Sequence, residues 1–317
     1  MPLPLGENSP AASTHNQPKV PLILTDPAGQ FASNYNRHHF QFPHGLKDHP
    51  LFELSSLVEL ARRMPDHRDT YWSNGKVDVS DPWTAGQEHR LSLADTIAHI
   101  EDNNSLVLLK HTEQDQLYGP LFKEFLARVV EYSGDQMRRD VAAGEILILI
   151  SSPNRITPYH MDGECNYVVQ VVGNKTLSVF DQNDQTLVSA KAIEQYHAVD
   201  ISSIKYDKDR QADAALYELN AGTGVHIPLW APHWVRNHNN VSIALSVTYE
   251  LFSVQRETRI CRLNNLLRKA GFTPTPPGVS PWRDQLKLAA MDRVIAARNL
   301  VKPKPAPAYP VWTPSST

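Results

Sequence analysis

The middle of the chain carries a series of short apolar runs rich in β-branched residues, and this series constrains the fold more than any other feature. The runs are EILILIS (145–151), CNYVVQVVG (165–173), KTLSVF (175–180), GVHIPL (224–229) and VSIALSVTYEL (241–251). Glycine, asparagine and proline separate them, which is typical of strands in an antiparallel sandwich or barrel. We therefore predict a mainly β fold with flanking helices, in which the β core occupies residues 141–255.

The segments on both sides of this core show helical periodicity. Residues 20–140 are predicted to form a helix-rich region that packs on the core and includes an amphipathic helix opened by Pro120. Residues 256–300 are predicted to form two helices. These helices either provide a homodimer interface or fold back on the core, and the sequence leaves both alternatives open.

Composition excludes several classes of protein. The 317 residues include 31 Lys+Arg and 34 Asp+Glu, and the resulting net charge of −3 argues against nucleic acid or an anionic membrane as the main partner. No apolar run approaches the roughly 18 residues that span a bilayer. Two cysteines, Cys165 and Cys261, are too few for a disulfide framework or a thiolate-rich zinc site. We expect a soluble cytoplasmic protein with flexible, proline-rich ends at 1–19 and 301–317.

One segment places a histidine and a carboxylate at a spacing suited to metal binding. His160 and Asp162 are two residues apart, so in an extended chain their side chains leave the same face. Two histidines and one carboxylate form the facial triad typical of non-haem Fe(II) oxygenases. His233 and His226 are the two candidates for the third ligand.

The neighbours of this pair strengthen the interpretation. Spaced around it are Thr157, His160, Asp162, Asn166 and Lys175, and a later segment holds Gly222, Ile227-Pro228, His233 and Asn237. In these positions the chain resembles the JmjC and cupin-like Fe(II)/2-oxoglutarate oxygenases. The spacing is most similar to the subgroup that contains the asparaginyl hydroxylase inhibiting hypoxia-inducible factor. The resemblance covers roughly residues 145–250 and implies a double-stranded β-helix, a jelly-roll relative.

The resemblance also implies roles for individual side chains. Fe(II) would be held by His160, Asp162 and His233. The cosubstrate 2-oxoglutarate would be bound by Lys175, Thr157, Asn166 and Ser246. Independently of the resemblance, a compact ammonium on a long stem suits a single buried carboxylate. The alternative for Lys175 is a solvated lysine after the Gly173-Asn174 turn.

The implied reaction uses O2 and converts 2-oxoglutarate to succinate and CO2. It hydroxylates an unidentified small-molecule or peptide substrate, or demethylates it through such a hydroxylation. The alternative is a catalytically inactive cupin-like sensor or regulatory module. Retention of all three ligands together with Lys175 favours the enzyme.

Strand alternation gives a further expectation about the pocket. If residues 160–172 form one regular strand, Asn166 and Gln170 share the face of the metal ligands. Gln170 is then either a substrate-contacting residue or a satisfied core residue. Cys165 has the opposite parity and is interpreted as a small core residue.

Three other features have two readings each. Trp230, Trp234 and Tyr159 either line the mouth of the pocket or only pack. Residues 181–221 are interpreted as a long connection that covers the substrate or as a surface excursion. The pair His67 and Asp69 repeats the metal-binding spacing, but it lies in a polar loop without neighbouring strands and is not favoured as a metal site.

Overall fold

The chain folds into two β-sheets packed face to face, with helices against the larger sheet. This computed structural model describes residues 23–64, 70–83, 85, 91–198, 202–301 and 312–314. The strands are β1 (Phe40–Pro43), β2 (Thr70–Ser73), β3 (Leu106–Leu109), β4 (Val141–Ser151), β5 (Ile156–His160), β6 (Cys165–Val172), β7 (Asn174–Val179), β8 (Ala215–Asn220), β9 (Thr223–Ile227), β10 (His233–Asn237) and β11 (Ser242–Leu251). The helices are α1 (Gln30–Asn34), α2 (Leu54–Arg63), α3 (Leu93–Ala98), α4 (Gly119–Asp140), α5 (Ala190–His197), α6 (Phe252–Lys269) and α7 (Pro281–Val301).

Successive strands of the core distribute between the two sheets. The larger sheet has the order β1-β9-β6-β11-β4-β3-β2, and the smaller sheet has the order β5-β10-β7-β8. Every neighbouring pair is antiparallel. From β4 to β11, four strands belong to each sheet, which is the arrangement of a double-stranded β-helix. The predicted fold class is therefore confirmed.

Two layers of apolar side chains explain why the central strands are mostly apolar. On β6, Val169 and Val171 pack in the layer shared with the helices, whereas Val168 packs between the sheets. Leu177 and Val235 of the smaller sheet complete this inner layer. Because both faces of β6 are covered, apolar residues occur at both parities, and only Asn166 and Gln170 interrupt them.

Some elements differ from the sequence expectation. The helix-rich region 20–140 also supplies β1, β2 and β3, which extend the larger sheet on both sides; of these, only β3 coincides with an apolar run of strand length, SLVLLK (105–110). Residues 181–221 contain α5 and β8, so the description of that segment as a connection between core strands is wrong. Leu216 of β8 is 63% exposed, and this strand therefore lacks the apolar pattern that would have identified it.

The C-terminal region contains the two predicted helices and one anchored tail residue. Helix α6 begins at Phe252, a few residues before the predicted boundary, and packs against α5 and α7. In the tail, Trp312 is buried, and its carbonyl accepts a 3.0 Å hydrogen bond from Gly144 N–H. The prediction of a flexible tail is therefore wrong at this position.

Two predictions concern residues that the structure does not describe. The N-terminal segment 1–19 and the pair His67 and Asp69 lie outside the described residues. Among the helices that are described, none is long and apolar enough to cross a membrane.

Candidate metal centre

Two adjacent strands of the smaller sheet bring the candidate ligands together. His160 is the last residue of β5, and His233 is the first residue of β10 and pairs with it in register. Asp162 follows in the turn between β5 and β6. The chain changes sheets in this turn, so the expectation of one continuous strand over 160–172 is wrong.

The donor atoms of these three side chains converge on one point. His160 Nε2 lies 3.7 Å from Asp162 Oδ1, and His233 Nε2 lies 3.6 Å from Asp162 Oδ2. The two imidazole centroids are 4.2 Å apart. Donors that each lie about 2.1 Å from a shared ion are separated by at most about 4.2 Å. The spacing therefore fits a single divalent cation.

Backbone carbonyls fix the tautomer of both imidazoles. His160 Nδ1 lies 2.7 Å from the carbonyl oxygen of Pro158, and His233 Nδ1 lies 2.9 Å from that of Ala231. A carbonyl oxygen only accepts, so each Nδ1 carries the proton and donates. Each Nε2 consequently presents its lone pair to the centre, in the manner of metal-binding histidines.

The alternative ligand His226 has both ring nitrogens in use elsewhere. Its Nδ1 donates to the carbonyl oxygen of Asn166 at 3.1 Å, and its Nε2 accepts a 3.1 Å hydrogen bond from Asn36 N–H. The ring is fully buried, and burial lowers its pKa to about 3. His226 is therefore a neutral core residue of β9.

Asp162 is ionised, although the surrounding protein opposes its charge. Burial raises the pKa of this carboxyl, but the imidazoles of His160 and His233 and a hydrogen bond from Asn166 outweigh burial, so that the pKa lies below its ordinary value. Burial also lowers the pKa of His233. One carboxylate and two imidazoles are the donor set required by the triad.

A chain of hydrogen bonds orients this carboxylate. Ser246 Oγ donates to Asn166 Oδ1 at 3.0 Å, and Asn166 Nδ2 donates to Asp162 Oδ2 at 3.1 Å. Asn166 and Ser246 were expected to face the cosubstrate. Both line the cavity, but the Asn166 amide donates to the Asp162 carboxylate, and the Ser246 hydroxyl donates to Asn166.

The candidate ligands form part of the wall of a cavity of about 290 Å³ between the two sheets. Thr157 and Lys175 line the same cavity. Lys175 is 5% exposed, and its ammonium makes no hydrogen bond or ion pair with the residues that the structure describes. Burial lowers the pKa of this lysine to about 7. A buried, uncompensated cation is costly, and the cavity therefore favours an anionic group near Lys175.

Several lining residues were missed by the sequence analysis. Trp83 packs on His160 with ring centroids 4.7 Å apart, and Tyr196 of α5 forms another part of the wall. Both come from segments remote from the motif in the chain, and neither has a local pattern that marks it. Lys110 and Glu164 also line the cavity.

Of the two polar candidates proposed from alternation, Asn166 lines the cavity and Gln170 does not. Gln170 is a fully buried core residue whose amide nitrogen donates to the Val172 carbonyl and to Ser242 Oγ, whereas its Oε1 has no partner among the described residues. The three aromatic candidates do not line the cavity either. Trp230 packs on Tyr196, and Tyr159 packs edge-on against Phe180. Trp234 donates to Gln211 at 3.0 Å. These three aromatic residues therefore pack against neighbouring side chains and do not line the mouth of the pocket.

Comparison with known proteins identifies the fold. No family model and no curated protein matches the chain. Among solved structures, the X-ray structure of YcfD from Escherichia coli is 14% identical, covers 86% of this chain and 68% of its own, and gives a TM-score of 0.51. This likeness shows that the chain has the cupin and JmjC type of fold.

Two further structures of that protein carry ligands. YcfD is described as a ribosomal oxygenase, and its complex with cobalt and 2-oxoglutarate is 15% identical, covers 86% of this chain and 67% of its own, and has a TM-score of 0.49. Its complex with cobalt and succinic acid is 14% identical at the same coverage, with a TM-score of 0.44.

Proposed function

We propose that this protein is an Fe(II)- and 2-oxoglutarate-dependent oxygenase that hydroxylates its substrate. The observation that carries the proposal is the pairing, in one cavity, of three convergent metal donors with a buried lysine that has no partner among the described residues. The donors suit a divalent cation, and the lysine suits an anion. Together they fit a dicarboxylic acid that chelates a metal through one end.

The ligand set fits iron. His160, Asp162 and His233 would hold Fe(II) on one side and leave the remaining coordination positions for cosubstrate and dioxygen. Bound Fe(II) supplies activation of O2, coupled to conversion of 2-oxoglutarate to succinate and CO2. The hydrogen bonds from Asn166 and Ser246 hold the Asp162 carboxylate in a fixed orientation for this ion.

Lys175 and Thr157 are proposed to hold the far carboxylate of 2-oxoglutarate. Thr157 lies on β5 and Lys175 on β7, and both project into the cavity from the smaller sheet. The carboxylate would restore the full charge of the ammonium, and the Thr157 hydroxyl would add a neutral donor. Leu147, Leu149 and Val168 cover the opposite side with apolar surface that limits water.

The test is succinate release by the full chain supplied with Fe(II), O2 and 2-oxoglutarate. We expect the parent and His99→Ala, which removes an exposed histidine of the α3 cap, to release succinate and to retain bound metal. We expect His233→Ala to lose both. Equal succinate release by His233→Ala and the parent would refute the assignment.

The same assay separates the enzyme from the inactive sensor. A parent protein that binds Fe(II) and 2-oxoglutarate but releases no succinate, even with a broad panel of peptides and metabolites, is the binding module. Gain of one oxygen atom by a member of that panel, detected by mass spectrometry, identifies the substrate. A demethylated product distinguishes demethylation from simple hydroxylation.

A further inference from the structure

A second set of metal-donor side chains lies where α5 packs against α6. His197 is the last residue of α5, and Glu257 and Cys261 are four residues apart on one face of α6. One ring nitrogen of His197, one carboxylate oxygen of Glu257 and the thiol of Cys261 all lie within 4.8 Å of one another. We propose that these three side chains bind a divalent metal ion of the zinc class, separate from the triad.

The donor separations are somewhat wider than those of an occupied zinc site. Zinc binds nitrogen and oxygen at about 2.0–2.2 Å and thiolate sulfur at about 2.3 Å, so two donors of a tetrahedral site lie about 3.3–3.6 Å apart. Where the present separation reaches 4.8 Å, the donors therefore need to approach one another by about 1 Å. Glu257 is half-buried on α6, and its carboxylate can make this movement by rotation of its side chain.

The hydrogen bonds of His197 leave one nitrogen ready to coordinate. Thr258 Oγ1 donates to the Val254 carbonyl at 2.8 Å, and it therefore accepts from His197 Nδ1, which lies 3.2 Å away. The proton is thus on Nδ1 and the lone pair on Nε2. Such an outer hydrogen bond is the usual support of a metal-binding imidazole.

The Nε2 atom of His197 is buried and lacks a partner. His197 is 8% exposed, and its Nε2 makes no hydrogen bond within the described parts of the chain. Leaving a buried acceptor unpaired costs free energy, and native proteins rarely do so without a ligand or ordered water. A metal ion at this position removes that cost.

The two acidic ligands also favour a cation. Burial raises the pKa of both Cys261 and Glu257, and the Glu257 carboxylate raises that of Cys261 further. A bound divalent ion would lower the pKa of both groups, since a coordinated thiol loses its proton. Two other carboxylates also raise the pKa of Cys261, but neither belongs to the donor group: Glu194 is paired with Arg268 and Asn264, and Asp284 accepts a hydrogen bond from Gly278 N–H.

The ligand types distinguish this site from the triad. A thiolate selects a softer ion than the nitrogen and oxygen donors of His160, Asp162 and His233. Three protein ligands leave a position for water. Of the three, only His197 lines the neighbouring cavity, together with Thr258 and Arg262. The ion would fix α5 to α6, and α5 carries Tyr196 of the triad cavity wall.

The test uses Co²⁺ as a coloured substitute for zinc in the metal-free full chain. A thiolate bound to Co²⁺ gives a charge-transfer band in the near ultraviolet, which the sulfur-free triad cannot produce. We expect this band in the parent and in Cys165→Ser, with one Co²⁺ per chain saturating it and Zn²⁺ abolishing it. We expect no band in Cys261→Ser. Cys165 is the matched control because it is the other cysteine of the chain and is equally buried.

A second variant covers the case in which Cys261→Ser does not fold. Glu257→Gln keeps the thiol and the side-chain shape, and we expect it to weaken Co²⁺ binding at the band at least tenfold. A folded parent that gives no band while Co²⁺ fills the triad would overturn the proposal. Equal Co²⁺ affinity in Glu257→Gln and the parent, or a band that depends on Cys165, would also overturn it.

Discussion

At the scale of single residues, we propose that Lys175 contributes to 2-oxoglutarate binding at the expense of folding. Its ammonium is buried without a partner among the described residues, so in the ligand-free chain it opposes folding. We expect Lys175→Met, which keeps the length and removes the charge, to raise the free energy of unfolding by about 1–3 kcal/mol. The same change should weaken 2-oxoglutarate binding roughly tenfold to a hundredfold. Denaturant unfolding and calorimetric titration measure the two effects.

The stability difference at Lys175 should depend on pH. Burial lowers the pKa of Lys175 from its ordinary value of 10.5 to about 7 in the folded chain. Between these two pH values, the unfolded chain therefore binds more protons than the folded chain. The free energy of unfolding of the parent therefore rises with pH relative to Lys175→Met, and the gap between them narrows above pH 7. A gap that stays constant from neutral to alkaline pH would contradict the burial of an uncompensated ammonium.

Asn166 provides a separate prediction about the metal. Its amide holds Asp162 Oδ2, and loss of such outer hydrogen bonds typically costs about 10–100-fold in metal affinity. We expect Asn166→Ala to show that loss in competition with a chelator, and Ser246→Ala, one bond further out, to show a smaller one. The exposed Asn154→Ala serves as the control. Unchanged metal affinity in Asn166→Ala would mean that metal binding by Asp162 does not depend on the hydrogen bond from Asn166.

The sequence predicted the donor residues better than their surroundings. His160, Asp162 and His233 could be identified because two short spacings and a family resemblance mark them, and the structure brings them together. The contact between Trp83 and His160 could not be identified, since it depends on the path of a loop far away in the chain. The role of Asn166 depends on the turn at 161–164, whose change of sheet leaves no signal in strand alternation.

At the scale of elements, the turn between β6 and β7 sets the position of Lys175. Gly173 has φ +75°, and a Cβ atom there would lie 2.2 Å from the Val241 carbonyl oxygen and 1.9 Å from Asn240 Oδ1. We expect Gly173→Ala to destabilise the fold by about 2–4 kcal/mol, from backbone strain and overpacking together. It should also weaken 2-oxoglutarate binding, because β7 begins at the next residue.

Gly278 offers the matched control for this turn. Its φ is +82°, but nothing lies within 4 Å of an added Cβ atom. Gly278→Ala should therefore cost only the backbone strain, about 1–2 kcal/mol, and leave ligand binding unchanged. Thermal unfolding of both variants, with and without 2-oxoglutarate, measures the difference. Equal destabilisation would show that the close contacts at Gly173 relax freely.

Whether a strand could be predicted from the sequence depends on how many of its residues are buried and apolar. The strands β4, β6 and β11 could be found because most of their residues are apolar, several of them β-branched, with few polar interruptions. The strand β3 could be found for the same reason, since it lies within the apolar run 105–110. The four-residue strands β1 and β2 are too short for a period to emerge. They lie at the two edges of the larger sheet, and the information that makes them strands lies in the tertiary fold.

At the scale of the whole molecule, the exposed apolar surface is concentrated at the C-terminal end. Of the eleven large apolar side chains that are exposed in the described structure, eight lie between 252 and 300. On α7 they include Trp282, Leu286, Val294 and Leu300. Exposed apolar surface of this density is typical of interaction sites. Helix α7 packs on α6, and the homodimer through its exposed side remains a prediction.

Leu286 allows a matched test of this homodimer. Leu286 of α7 and Leu216 of β8 are 61% and 63% exposed, so the same substitution at each position removes equal apolar surface from different faces. We expect Leu286→Glu to weaken self-association at least tenfold in sedimentation equilibrium, because two buried carboxylates would meet across a twofold interface. Leu216→Glu should associate like the parent. A parent that remains monomeric at high concentration would exclude the dimer and assign this surface to another role.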